Sequence, residues 1–106
     1  MNDVTYVEAA RNLAQQVVRD EGSSAELIGR LFESALGRPA KDWEARLLES
    51  ALVRHEEHYR THAADAEKLC RMGTSPVPTD MNLARLAAYT AVASIILNLD
   101  EFVTRE

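Results

Sequence analysis

The longest apolar run in the chain covers residues 83–99, near its C-terminal end. The polar positions Thr90, Ser94 and Asn98 are four residues apart, so on a helix they form one narrow stripe, whereas Arg85 points roughly the other way. A helix that is apolar on nearly all sides is typical of the centre of a domain. The pattern therefore predicts a buried central helix at this end of the chain.

Four earlier segments show the periodicity of amphipathic helices. They cover residues 5–20, 23–36, 42–63 and, as one short helix, 66–72. Each segment, and the C-terminal helix, begins at a polar residue whose side chain can accept a hydrogen bond from a backbone amide of the first turn. The predicted N-caps are Thr5, Ser23, Asp42, Asp65 and, for the last helix, Thr79 or Asp80. Glycines and prolines between the segments mark the connections.

These segments predict an all-α fold, a compact helical bundle of four main helices plus one short helix, with the C-terminal helix central. A chain of 106 residues that is 46% hydrophobic fits one domain, residues 1–106. The positions expected to be most deeply buried are Leu86, Val92, Ile96, Leu99, Phe32, Leu48 and Leu52.

The charge of the chain argues against two classes of partner. The net charge is −5, and lysines and arginines are scattered, so the basic stripe that nucleic-acid binding needs is missing. The same acidity disfavours an anionic membrane surface. The uncharged stretch between Arg85 and Asp100 is shorter than the roughly 20 residues of a membrane span, so no membrane insertion is expected.

Three short motifs stand out together because of their order and spacing. Residues 36–39 read Leu-Gly-Arg-Pro, residues 72–77 Met-Gly-Thr-Ser-Pro-Val and residues 97–102 Leu-Asn-Leu-Asp-Glu-Phe. With the opening residues 2–10, they resemble the C-terminal part of a domain of unknown function found in planctomycete-type proteins. The resemblance covers roughly residues 2–106. It departs from the family pattern at Ala40 and Lys41, where the family tends to have Pro-Thr.

The resemblance carries expectations about context rather than chemistry. In that family the domain commonly lies behind cytochrome c-like domains in long chains. It therefore implies that this chain is an excised C-terminal fragment of a larger exported protein, in the cell envelope or periplasm. The family supplies no catalytic residues to transfer to this sequence.

The three histidines form the sharpest local signal. His55, His58 and His62 fall within about a 60° arc of one helix face. Imidazoles four residues apart can bind zinc or copper together, and His58 and His62 would need a further ligand such as Asp65. His55 and His62 are about 10 Å apart along the axis, too far for one ion to bind all three. The other interpretation is that these rings border the core, and no metal ligand or cofactor is assigned.

The remaining candidates for chemistry do not form a site. Cys70, the single cysteine, is predicted near a helix C-terminus, where the helix dipole disfavours the thiolate, so a packed thiol is expected. Asp100 and Glu101 are adjacent, and adjacent helical residues do not converge on a substrate. Neither a phosphate-binding loop nor a nucleophile elbow occurs. No catalytic residue is assigned, and the chain is not expected to be an enzyme.

The sequence leads to a non-catalytic helical module, structural or protein-binding, with a metal-binding or redox-accessory domain using His58 and His62 as the alternative. The expected partners are other domains of the full-length chain or a separate protein. An apolar patch around Tyr6 and Val7 on helix one is expected, and with it a homodimer through that helix. Arg38 is expected to serve the fold, by bonding helix-terminal carbonyls or the Asp100–Glu101 carboxylates.

Overall fold

The helices of this protein pack into one body measuring 36 × 28 × 21 Å along its principal axes. A computed structural model describes residues 4–73 and 76–104, and the side chains of residues 6–73 and 76–99. The described segments form five helices. They are α1 (Val4–Val18), α2 (Ser24–Leu36), α3 (Asp42–Thr61), α4 (Ala63–Cys70) and α5 (Leu83–Thr104). The prediction of an all-α fold with four longer helices and one short one is confirmed.

Helix α5 lies at the centre, as its sequence predicts. It contacts each of the other four helices, and α1 most extensively. Five consecutive residues, 86–90, are buried, which requires packing on all sides of the helix. Within this run Thr90 donates its hydroxyl to the carbonyl of Leu86 at 2.7 Å, so its burial leaves no unpaired hydroxyl. Of the seven predicted core residues, six are buried and Leu99 is half-buried near the end of α5.

The caps of α2 follow the sequence closely. The Ser23 hydroxyl accepts a hydrogen bond from the Glu26 amide, and the Glu26 carboxylate accepts one from the Ser23 amide. Gly37 ends the helix with φ 73°, in the left-handed region that favours glycine. These local signals are sufficient because both caps depend on neighbouring residues alone.

The predicted starts of the other helices need correction. Thr5 lies inside α1, and Asp65 lies inside α4, which begins at Ala63. The N-cap of α3 is Lys41 rather than Asp42, and its amide donates to the Glu44 carboxylate at 2.9 Å. At α5 the Asn82 side chain accepts from the Arg85 amide at 3.1 Å, so Asn82 replaces Thr79 or Asp80. The N-caps of α3 and α4, Lys41 and His62, form no side-chain cap hydrogen bond, so the preference for capping residues does not decide where these helices begin.

Helix α1 faces α5 with its apolar side. Val7, Ala10 and Ala14 are buried there, and the Tyr6 hydroxyl donates to Asn98 Oδ1 at 3.0 Å across the interface. The expectation of an apolar patch around Tyr6 and Val7 is therefore wrong, because α5 already covers that face. Within the two described ranges, no helix is long and apolar enough to cross a membrane.

Candidate functional site

The largest apolar side chains exposed on the described surface all belong to α3. Trp43 is 55% exposed, Leu47 43% and Val53 65%. With Ser50 and Arg54 they follow the spacing i, i+4, i+7, i+10 and i+11, which keeps them on one side of the helix. We call this surface the α3 outer face.

The opposite side of α3 explains why this face points into solvent. Leu48, Ala51 and Leu52 are buried, and α3 packs extensively on α5. Leu47 and Leu48 are neighbours in sequence, so they point about 100° apart on the helix, and only one of them can face the core. Trp43 and Leu47 are as apolar as the buried residues of this helix, so their exposure follows from the orientation of α3 and not from their composition.

An ion pair at the start of α3 holds its first turn. The Arg38 guanidinium donates to both carboxylate oxygens of Glu44, at 3.0 Å each, and lies 4.8 Å from the centre of the Phe32 ring. Glu44 is only 3% exposed. The hydrogen bonds from Arg38 lower the pKa of the Glu44 carboxyl, assisted by the Lys41 amide and opposed by burial. The pair therefore fixes the backbone of the first turn of α3, the turn that carries Trp43.

Arg38 therefore serves the fold, as expected, but with a partner that the sequence did not suggest. Glu44 follows Lys41 by three residues, and this capping-box spacing is the signal that could have identified it. The other expected partners, the side chains of Asp100 and Glu101, lie outside the described residues.

Charged residues border the α3 outer face. Asp42, Glu49 and Glu56 recur every seven residues along one edge, which we call the acidic edge. None of the three forms an ion pair within residues 6–73 and 76–99. Burial raises the pKa of the Tyr89 phenol on α5; the positive charge of Arg85 opposes this shift, and the negative charge of Glu56 adds to it.

The opposite edge carries positive charge. Arg54 is exposed there and donates from Nη1 to the Ser50 hydroxyl at 2.9 Å. Arg46 is exposed between the two edges. The α3 outer face therefore combines apolar side chains with edges of opposite charge.

The histidines do not converge on a shared point. The rings of His58 and His62 stack with centroids 4.5 Å apart and planes within 13°. Nitrogen lone pairs lie in the ring planes, so two stacked rings cannot direct them at one ion. His58 Nε2 lies 3.3 Å from Asp65 Oδ2, and His62 Nδ1 is 2.9 Å from the His58 carbonyl. The described residues contain no group of three or more metal-ligating side chains placed to hold an ion.

Only His55 borders the core as the second interpretation predicts. It is half-buried, and desolvation lowers its pKa, with the charges of Arg54 and His58 adding to the effect. His58 and His62 are exposed. Cys70 is fully buried, its thiol contacts the Leu83 carbonyl at 3.7 Å, and burial raises its pKa. The expectation of a packed thiol is confirmed.

A buried arginine on α1 was missed by the sequence analysis. Arg11 is fully buried and donates from Nη1 to the carbonyls of Cys70 at 2.8 Å and Pro76 at 3.3 Å. Its Nε and Nη2 have no hydrogen-bond partner among the described residues. The signal was its spacing, since Arg11 lies four residues after Val7 and three before Ala14, within the apolar side of α1. Arg11 links α1 to the end of α4 and the following loop.

The surface clefts are open and have mixed linings. One of about 440 Å³ is lined by residues that include Arg19, Asp80 and Arg85, and another of about 430 Å³ lies between α2 and the α2–α3 connection. Arg19 and Asp80 form an exposed ion pair at 2.8 Å. Neither cleft brings a nucleophile and a base together among its described lining residues.

Comparison with protein-family models, curated proteins and solved structures found no match for this chain. The resemblance to the planctomycete-type domain therefore stays a prediction, as does the expected location in the cell envelope.

Proposed function

We propose that this chain is a non-catalytic helical module that binds a protein partner through the α3 outer face. The observation that supports the proposal is the exposure of Trp43, Leu47 and Val53 on the side of α3 that faces away from the core. Large exposed apolar side chains that share one helix side favour an interaction site, and tryptophan and arginine are enriched among the residues that contribute most to binding.

The rigidity of α3 favours this role. Leu48 and Leu52 anchor the helix in the core, and the Arg38–Glu44 pair fixes its first turn. A surface that is ordered before binding loses less conformational entropy on association, so more of its contact energy contributes to affinity. The partner is another domain of a larger exported protein or a separate protein. The expected homodimer through α1 depended on an exposed apolar patch, and α5 covers that patch.

The test is affinity capture with the purified chain, followed by reconstitution with the captured protein in pure form. The test variant carries Trp43→Ser, Leu47→Ser and Val53→Ser. We expect the wild-type chain to retain a partner that the variant loses, because binding needs the apolar contacts on α3. Circular dichroism and thermal unfolding establish that the variant remains folded.

A control variant carries three substitutions at exposed positions on other helices, Gln16→Ser, Glu33→Ser and Lys68→Ser. It should retain the partner as well as the wild type does. Equal retention of every partner by the α3 variant and the wild type would refute the proposed role of this face.

A further inference from the structure

Building on the proposed function, we infer that the partner docks an amphipathic helix whose apolar seam is bordered on one edge by lysine or arginine side chains. Three features of the α3 outer face lead to this chemistry: the helical spacing of its apolar residues, the unpaired acidic edge, and the poor match between two copies of the face.

The spacing of the α3 outer face fits a helical occupant. Trp43, Leu47 and Ser50 are spaced by four and three residues, the spacing of a helix–helix seam, and Val53 follows Ser50 by three residues on the same side of α3. A strand would need unpaired backbone groups to extend, and the described chain offers only helices at this surface. The small side chain of Ser50 lies between the larger residues and allows a partner side chain to approach α3 closely.

The acidic edge defines the charge of the occupant. Asp42, Glu49 and Glu56 lie about 10.5 Å apart along the helix axis, at a rise of 1.5 Å per residue. Their carboxylates form no ion pair within the described side chains. Arg46 lies within one helical turn of Asp42 and Glu49, so three carboxylates beside one arginine leave an excess of negative charge for a partner. Lysine or arginine side chains spaced by seven residues on a second helix would lie opposite them. Arg54 on the other edge would oppose such basic residues, so only one edge of the occupant is basic.

A second copy of this chain fits the face poorly. In an antiparallel two-fold pair, each edge meets its own counterpart, so the acidic edge would face another acidic edge. In a parallel pair the acidic edge would face the edge that contains Leu47 and Arg54, which offers one cation for three carboxylates. Like charges placed directly opposite are destabilising, and the net charge of −5 on each copy adds repulsion.

The test uses two synthetic peptide helices of about 21 residues, three heptads long, with a leucine seam and no tryptophan. One peptide has lysines along one edge and the other has glutamates at the same positions. Trp43 is the single tryptophan of the chain, so its fluorescence reports binding at the α3 outer face. We expect the lysine peptide to bind at least about tenfold more tightly than the glutamate peptide, with a difference that shrinks as salt is added.

Charge variants separate the acidic edge from the overall charge of the chain. Glu49→Gln with Glu56→Gln, and the control Glu21→Gln with Glu33→Gln, each change the net charge from −5 to −3. The first pair of substitutions should remove most of the difference in affinity between the lysine peptide and the glutamate peptide, and the control pair should preserve that difference. Asp42 is left unchanged because a carboxylate in the first turn stabilises α3.

Each outcome decides between the inference and the proposed function. Equal binding of the two peptides, or equal effects of the two charge variants, overturns the basic-edged helix and leaves docking on α3 intact. If neither peptide binds while capture still depends on Trp43, the inference also fails and the proposed function stands. If capture fails as well, both are overturned. Concentration-dependent dimers in sedimentation that are lost in the Trp43→Ser variant would identify a second copy as the occupant and contradict the inference.

Discussion

The pairing of Arg38 with Glu44 can be tested by a double-mutant cycle of Arg38→Met, Glu44→Gln and both together. The guanidinium donates two hydrogen bonds of 3.0 Å to a carboxylate that is 3% exposed. Charge-assisted hydrogen bonds contribute about 1.5–3 kcal/mol each when shielded, but the Arg38 side chain is 40% exposed and its charge is partly screened. We expect a coupling free energy of about 1–3 kcal/mol at pH 7.

The assay is urea unfolding of the four proteins at several pH values. The Glu44 pKa is lowered in the folded protein, so its contribution to stability is present above the ordinary carboxyl pKa of 4.5. That contribution is lost as the pH falls through the folded pKa. The coupling should therefore decline towards zero in acid. A coupling below about 0.3 kcal/mol at pH 7, within the error of additive behaviour, would refute the reasoning. A value that does not change with pH would refute it equally.

Three further predictions concern the core, a turn and the histidines. Leu52→Ala should lower the free energy of unfolding by about 2–5 kcal/mol, whereas Val53→Ala, at an exposed position, should change it by less than about 0.5 kcal/mol, both measured by urea unfolding. Gly73→Ala should lower the free energy of unfolding by about 1–2 kcal/mol or more, because φ is 92° and the new Cβ would collide with the Glu8 side chain of α1. Purified protein should retain no stoichiometric zinc after dialysis, and His58→Ala with His62→Ala should not alter its metal content.

Opposite results would contradict specific parts of the structure. Similar losses for Leu52→Ala and Val53→Ala would mean that α3 is rotated from the orientation described. A Gly73→Ala protein as stable as the wild type would contradict the left-handed backbone at that turn. Bound zinc that is present in the wild type and absent when both His58 and His62 are replaced by alanine would support the metal-binding alternative.

Much of the fold could be read from the sequence because its signals are local or strongly periodic. The run that forms α5 is apolar on nearly all sides, and this pattern is typical of a buried central helix. The Ser23–Glu26 capping box and Gly37 also act through adjacent residues. The start of α5 could not be placed in the same way, because Thr79, Asp80 and Asn82 are all capable caps and their residue types do not distinguish between them.

The candidate site was harder to predict because it depends on which side of α3 faces α5. Trp43 and Leu47 are as hydrophobic as the buried Leu48, so hydrophobicity alone does not distinguish the exposed residues from the buried one. Arg11 shows the converse problem, since a charged residue on the apolar side of α1 is buried by contacts with Cys70 and Pro76, far away in sequence. The exposure of Trp43 and Leu47 and the burial of Arg11 both follow from tertiary packing, which the pattern of a single helix does not contain.

The accessibility of Trp43 tests the central claim most directly. The measurement is acrylamide quenching of its fluorescence, in the purified chain alone and after addition of the captured partner. In the free chain the exposed indole should be quenched readily, and the partner should reduce the quenching severalfold because the α3 outer face becomes covered. Quenching that is unchanged when the complex forms would show that the partner binds elsewhere, and an indole already shielded in the free monomer would contradict the exposed α3 outer face itself.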